Sequence, residues 1–133
     1  MATQPADISA LIPLAATIGI EISSADPQEV RGVLPWRADL CTTAGILHGG
    51  SLMALGDTLG AVCASLNLPE GATTATIESK TNFFRAVRDG AVEGSSRPLH
   101  VGRTTIVAQT DLRDSRGKLV AQITQTQAVI QAA

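Results

Sequence analysis

Aromatic side chains are nearly missing from this chain of 133 residues: two Phe, one Trp and no Tyr, 2% in all. A core without rings has to be filled by Val, Ile, Leu, Ala and Thr. The same scarcity argues against modules that stack nucleic-acid bases on aromatic faces. An excess of basic charge is missing too. Ten Lys and Arg stand against twelve Asp and Glu, a net charge of -2, so the electrostatic footprint of a nucleic-acid binder is not there. Cys41 and Cys63 are the only cysteines, with no Cys-x-x-Cys pair. That excludes a disulfide framework and makes a reducing cytoplasm the simplest setting. No apolar run reaches the ~18–20 residues that span a bilayer. The stretch from Met1 to Asp7 lacks the basic region of a secretory signal. Low charge together with many β-branched residues argues against disorder.

Apolar residues make up 44% of the chain, and a single domain commonly takes ~100–150 residues. No linker, repeat or low-complexity tract interrupts it, so one domain over residues 1–133 is expected. Ile8, Leu11, Ile12, Ala15 and Ile18 recur at helical spacing behind Asp7, which predicts one helix over Pro5 to Ile18, ended by Gly19. From Glu29 to Trp36, the residues Val30, Gly32, Leu34 and Trp36 share one face of a strand. Arg37 to Leu47 shows no period and reads as a loop.

The strongest element is a helix over Gly50 to Leu66. It carries an apolar stripe of Leu52, Leu55, Leu59, Val62 and Leu66 and is stopped by Asn67 and Pro69. A second stripe is small: Gly56, Gly60 and Ala64 at i, i+4 and i+8. Each Gly inside a helix costs roughly 0.5–1 kcal/mol relative to Ala, so something must pack close against that face. Four β-rich stretches follow, Thr73 to Phe83, Gly90 to Leu99, Arg103 to Arg113 and Leu119 to Ile130, separated by turn signals at Asp89-Gly90 and Asp114 to Gly117. Short turns imply antiparallel neighbours in succession, with the apolar helix laid on the sheet: an α+β domain.

Two features carry chemistry. Leu47-His48-Gly49-Gly50 sits where the loop becomes the long helix. Glycines allow close approach of a ligand to the backbone, and the first helical amides are free donors at the positive end of the helix dipole. They suit an anion or a developing oxyanion, although the same residues can simply shape a tight turn. Asp57 lies mid-helix among apolar and small residues, where a carboxylate shifts its pKa or finds partners. Gly49 and Asp57 are eight residues apart, ~12 Å along a helix. One chain cannot bring both to one carbonyl. Two antiparallel helices in a two-fold dimer can, and the small stripe is the expected contact face.

Other chemistries lack support. His48 and His100 are the only histidines and no Cys/His cluster has metal-ligand spacing, so no metal site is expected. There is no Gly-x-Ser-x-Gly elbow, Rossmann fingerprint or P-loop. Cys63, in an apolar helix, reads as a buried small hydrophobe. Arg85, Arg88, Arg97 and Arg103 fall near strand ends, where they meet phosphates or simply face solvent.

His48-Gly49-Gly50 followed by Leu55-Gly56-Asp57 resembles the signature of hotdog-fold acyl-CoA thioesterases, especially the branch with the phenylacetate-degradation and Arthrobacter-type hydroxybenzoyl-CoA thioesterases. The resemblance runs from Arg37 to Ile130, through Thr81-Asn82-Phe83-Phe84-Arg85, Gly90, Val101-Gly102-Arg103-Thr104-Thr105 and Asp111-Leu112-Arg113-Asp114 with Gly117. It implies a long central helix wrapped by an antiparallel sheet, and a homodimer as the minimal unit, often paired into a homotetramer. Active sites would lie between helices, with no cofactor. It implies acyl-CoA as substrate, carrying a small aromatic or medium-chain acyl group. By resemblance, the Gly49 amide polarises the thioester carbonyl, Asp57 of the other subunit acts as base or nucleophile, His48 shapes the loop and Thr76 helps orient water. Gly50 and Thr42 line the substrate, while Arg85, Gly102, Arg103 and Thr104 meet the pantetheine and phosphates. Thr42 departs from the pattern, since relatives usually carry Asn or Gln six residues before the His, and a hydroxyl reaches less far than a carboxamide. That departure keeps a non-catalytic acyl-CoA-binding module as the alternative. A hotdog dehydratase or hydratase ranks last.

Overall fold

The computed structural model describes residues 4–132. Met1 to Thr3, part of the stretch read for a secretory signal, and Ala133 lie outside them. The chain runs through α1 (Pro5–Ala10), α2 (Pro13–Ile18), β1 (Glu21–Asp26), β2 (Glu29–Pro35), α3 (Gly49–Ser65), β3 (Thr73–Phe83), β4 (Ala91–Val101), β5 (Thr105–Arg113) and β6 (Leu119–Ile130). Six strands form one antiparallel sheet in the order β1-β2-β4-β5-β6-β3, and α3 lies on its inner face. This is the α+β arrangement expected, a long helix wrapped by a sheet.

The N-terminal helix is broken in two. Pro13 cannot donate into a continuing helix, so α1 ends at Ala10 and α2 restarts with Pro13 in its first turn. Asp7 is not the N-cap: Gln4 holds that place, with Pro5 in the first turn. Gly19, at φ 88°, does end the second piece. β1 had no sequence signal, because Ile22 is its one fully buried side chain. In β2, Val30, Gly32 and Leu34 are buried as the alternation requires, and Trp36 packs partly against the core.

The strands do not pair in simple succession. β3 pairs with β6, while β4 joins β2 and β5, so the β3–β4 connection is a crossover and not a hairpin. Residues 84–90 make that crossing. Val87 in its middle is buried, and its carbonyl accepts from Leu47 N–H at 2.8 Å. The crossing leaves β3 as an outer edge of the sheet. None of its residues is fully buried, and a bulge between Thr76 and Glu78 turns Ile77 out to 63% exposure.

Helix and sheet approach each other through glycine on both surfaces. Gly32 of β2 and Gly94 of β4 are directly paired. A Cβ on Gly32 would stand 2.7 Å from Leu59 Cδ2, and one on Gly94 would collide with the other methyl of the same leucine. Leu59, fully buried, therefore sits in a depression that only two glycines leave open. On the opposite flank, a Cβ on Gly56 would lie 2.6 Å from Ile123 Cδ1, and one on Gly60 would overlap the Gln125 carboxamide. The small stripe thus serves contact with β6 of the same chain. It is not the face for a second helix that its spacing suggested. Leu52, Leu55 and Val62 complete the buried face of α3, while Leu66, just past its end, is partly exposed. Asn67 closes the helix by donating through Nδ2 to Cys63 O and Pro27 O, both at 2.8 Å.

Overpacking under Leu59 should outweigh any gain in backbone stiffness. Gly94→Ala is expected to destabilise the fold by about 1–3 kcal/mol, seen as a lower urea midpoint at matched protein concentration. An unchanged midpoint would mean that the helix is not held by this contact.

Candidate functional site

The loop before α3 is built to present the start of that helix. Leu47 N–H is taken by Val87 O, His48 N–H by Leu40 O at 2.9 Å, and Ser51 Oγ donates to Leu40 O at 2.9 Å. Cys41 and Leu47 form an isolated antiparallel bridge. Between them Thr42 N–H donates to Ile46 O at 2.8 Å, closing a tight loop. Inside it Ala44 (φ 63°) and Gly45 (φ 69°) both take left-handed conformations. For alanine that conformation costs roughly 1–2 kcal/mol. Trp36 holds the loop from outside, its indole Nε1 donating to Gly45 O at 3.1 Å.

His48 is the N-cap. Its Nδ1 accepts from Gly50 N–H at 2.7 Å, so a neutral ring carries its proton on Nε2. This occupies one of the free helical amides and leaves its neighbour. Among the described residues nothing accepts from Gly49 N–H. A Cβ on Gly49 would lie 3.2 Å from the Phe83 ring, the wall beside this amide. His48 thus caps the start of α3, and the Gly49 amide beside it stays unclaimed. Gly50 is engaged by His48 and cannot serve as a free donor.

Asp57 emerges from the same helix two turns on. Gly50, Met53 and Asp57 share one exposed face of α3, the flank turned toward β6 and β3. Gln125 Nε2 donates to Asp57 Oδ1 over a long 3.4 Å. Protein packed against the inner side of the carboxyl partly desolvates it and raises its pKa above the usual range, which the Gln125 hydrogen bond opposes. Gln125 in turn donates to Gln127 Oε1 at 3.0 Å, and Thr76 Oγ1 donates to the same oxygen at 2.7 Å. Thr76 therefore reaches Asp57 through two glutamines and not directly. Neither glutamine was singled out from the sequence. The signal was available: both fall in phase with Ala121 and Ile123 on the core-facing side of β6.

The other expected site residues do not converge within one chain. Arg85 N–H bonds to Val120 O near the start of β6, and with Phe84, Lys118 and Leu119 it lines an open hollow of about 420 Å³. Lys118 there is a cation that spacing could not find, because 33 residues separate it from Arg85. Gly102, Arg103 and Thr104 form the β4–β5 turn at the other end of the sheet, where Thr104 O accepts from Val129 N–H. Eight residues of strand between Val120 and Ala128 put about 26 Å between these two regions. Thr42 is exposed in the loop. Among the described residues no group of His, Cys, Asp or Glu is arranged to hold a metal ion.

Residues 44–121 match the profile described as the thioesterase superfamily. The crystal structure of a thioesterase from Haemophilus influenzae superposes with a TM-score of 0.92 at 30% identity, covering 98% of this chain and 93% of that one. The chain is 30% identical over 101 residues to the proofreading thioesterase of Cronobacter turicensis, 76% of this chain and 74% of that protein. It is 31% identical over 86 residues to the 1,4-dihydroxy-2-naphthoyl-CoA hydrolase of Escherichia coli, 65% of this chain and 63% of that protein.

The raised carboxyl has a consequence for stability. A group whose folded pKa exceeds its unfolded value is costless while protonated in both states. It weakens the fold as pH rises and the charge is forced into its desolvated place. Asp57→Asn is therefore expected to raise the urea midpoint at neutral pH, with the gain fading as pH falls through the carboxylate range. A gain that persists unchanged at low pH would rule this out.

Proposed function

The chain belongs to the thioesterase superfamily and is a thioester hydrolase of the hotdog fold, and from that premise we propose that it cleaves acyl-CoA at a site shared by two subunits. The observation that carries this reading is the pairing of a free amide at Gly49 with a partly desolvated carboxylate at Asp57, eight residues along one helix. At ~1.5 Å per residue they stand ~12 Å apart in one chain. Antiparallel α3 helices from two chains would bring the start of each beside the middle of the other. The helix face supporting this is Gly50, Met53 and Asp57, which the sheet leaves exposed. The unpaired edge of β3 lies on the same flank, with exposed Ile77 and Phe83. A homodimer is then the minimal unit, and paired dimers make a homotetramer.

In the shared site the thioester carbonyl accepts from Gly49 N–H. Asp57 of the second subunit takes a proton from water as the oxygen adds to the carbonyl carbon. The tetrahedral oxyanion stays at the helix start, where the amide and the dipole favour negative charge. Its collapse breaks the C–S bond and expels the thiolate, which recovers the proton from Asp57 and leaves as free CoA beside the carboxylic acid. Should Asp57 attack the carbon itself, a mixed anhydride forms as the C–S bond breaks and the CoA thiolate leaves. Water then adds to the anhydride, freeing the carboxylic acid and the Asp57 carboxylate while its proton passes to the thiolate. Accumulation of an acylated enzyme in a rapid-quench single turnover marks the second route, and its absence marks direct attack by water.

For the substrate we propose a small aromatic or medium-chain acyl group, in keeping with the phenylacetate-degradation and hydroxybenzoyl-CoA branch that the His48 to Asp57 motif resembles. Met53 on the exposed flank of α3 and Phe83 beside Gly49 border the site, and the chain has no Tyr to hydrogen-bond a ring substituent. The hollow at Arg85 and Lys118 suits phosphates, and the Gly102-Arg103-Thr104 turn suits them at the far end. One CoA reaches only one of these in a given chain. His48 holds the loop, Thr76 acts through Gln127, and Thr42 lies where relatives carry an amide. Residues 1–133 make one domain. Two free thiols, Cys41 and Cys63, fit a cytoplasmic setting, and no helix among the described residues is long and apolar enough to cross a membrane.

Asp57→Asn is expected to lower kcat for thiol release at least ~100-fold, as loss of a base or nucleophile does, when aromatic, short, medium and long acyl-CoAs are compared. Near-normal turnover would remove Asp57 from the reaction. Sedimentation at assay concentration should show a dimer or larger, and a fully active monomer would exclude the shared site.

A further inference from the structure

We propose that Gln125 is a positioning residue for Asp57, and that Gln127, held between Thr74 and Thr76, keeps the Gln125 carboxamide in place beneath the carboxylate. The proposal rests on Asp57 being the reacting carboxylate. Its ground is the geometry of a buried hydrogen-bond chain that the fold does not otherwise need.

Gln125 and Gln127 are each 1% exposed, the two carboxamides of an interior whose other buried polar groups are the hydroxyls of Thr58, Ser96 and Thr110. Burying such groups is costly unless their hydrogen bonds are met. Gln127 meets them: its Nε2 donates to Thr74 Oγ1 at 3.2 Å, and its Oε1 accepts from both Thr76 Oγ1 and Gln125 Nε2. Gln125 does not. Its Oε1 has no partner among the described residues, held against Gly60, where any side chain would overlap it. An orphaned buried oxygen costs about 1–3 kcal/mol. The alternative rotation would give that oxygen a place beside Asp57 and Gln127 Oε1, where it would face two acceptors. The ionised Asp57 can only accept, so the amide end of Gln125 turns outward to Asp57 Oδ1, Gln127 Oε1 takes its second N–H, and the orphan behind is tolerated.

The consequence is chemical. A donor fixed on one carboxylate oxygen favours the ionised form and leaves the other oxygen to meet water or the acyl carbon. Among the described residues of the chain no charge competes with it from α3, β6 or β3. Asp57 is the only Asp, Glu, Lys or Arg on α3, and His48 caps the far end of that helix. β6 has none of these residues, and on β3 Glu78 and Lys80 pair with Thr126 and Thr124, on the outer face of the sheet. Within one chain the tuning of Asp57 is thus left to burial and to Gln125, which act in opposite directions.

The test is the pH profile of kcat/KM for thiol release in Gln125→Met, which keeps length and removes the donor, and in Gln127→Met, which keeps Gln125 but frees its carboxamide to turn. Losing the donor disfavours the carboxylate, so the acid limb should move to higher pH. On that limb Gln125→Met should lose roughly 3-fold more rate than on the plateau, the low end of what one hydrogen bond contributes. Gln127→Met should move the limb the same way by less. KM should change less than kcat. A limb that stays in place while rate falls equally at every pH means that the glutamines only fill space, and the proposal fails. Should Gln125→Met not fold, Gln127→Met alone decides by the same criterion. Asp57→Asn separates the underlying reading: if it retains turnover, that reading fails, whereas if it is inactive and neither glutamine variant shifts the limb, only the present proposal fails.

Discussion

How closely α3 can approach the sheet governs everything else in this molecule. Leu59 drops into the space left by Gly32 and Gly94, and Gly56 and Gly60 let the opposite flank settle on Ile123 and Gln125. Removing a side chain from each meeting surface shortens the distance between layers, and aliphatic groups then fill the interior without rings. The cost is borne in backbone: two glycines inside a helix and two inside strands, each an unfavourable local choice offset by dispersion contacts across the layer. With the helix seated this deeply, only one narrow flank remains outside, and Asp57 is on it.

The same seating explains why the site has two halves of different character. At the start of α3, fixed loop contacts and the His48 cap set the direction of a single unclaimed amide. Two turns later, Asp57 stands at a boundary, protein behind and open space ahead, with a chain of buried amides beneath it. A free amide and a partly desolvated carboxylate are thereby carried on one rigid rod, so their separation is set by helical rise and not by loop flexibility. Under the proposed function, completing the site is a matter of assembly and not of local motion.

Much of this was legible in the chain and some was not. The long helix, its leucine face, β2 and the four late strands follow from apolar periodicity and β-branched composition. The break at Pro13 is concealed by apolar spacing that continues in phase across it. β1 escaped because an edge strand with one buried side chain leaves no alternation to see. The crossover between β3 and β4 was hidden because turn residues mark where a chain bends, not which neighbour it next meets. Gly56 and Gly60 announced a close contact correctly but not with what. At the site, His48, Gly49 and Asp57 are marked by motif, whereas Gln125 and Gln127 lie some 70 residues away and become relevant only through the β3–β6 register.

Trp36 is the chain's one tryptophan, and there is no tyrosine. Its indole is tied to the carbonyl of Gly45, in the loop whose far end places His48 and Gly49. Ultraviolet excitation of the indole therefore addresses essentially one chromophore, and that chromophore is fastened to the loop leading to the unclaimed Gly49 amide. Emission wavelength and quenching report the setting of this loop without a label, so ligand occupancy can be followed optically in the native protein.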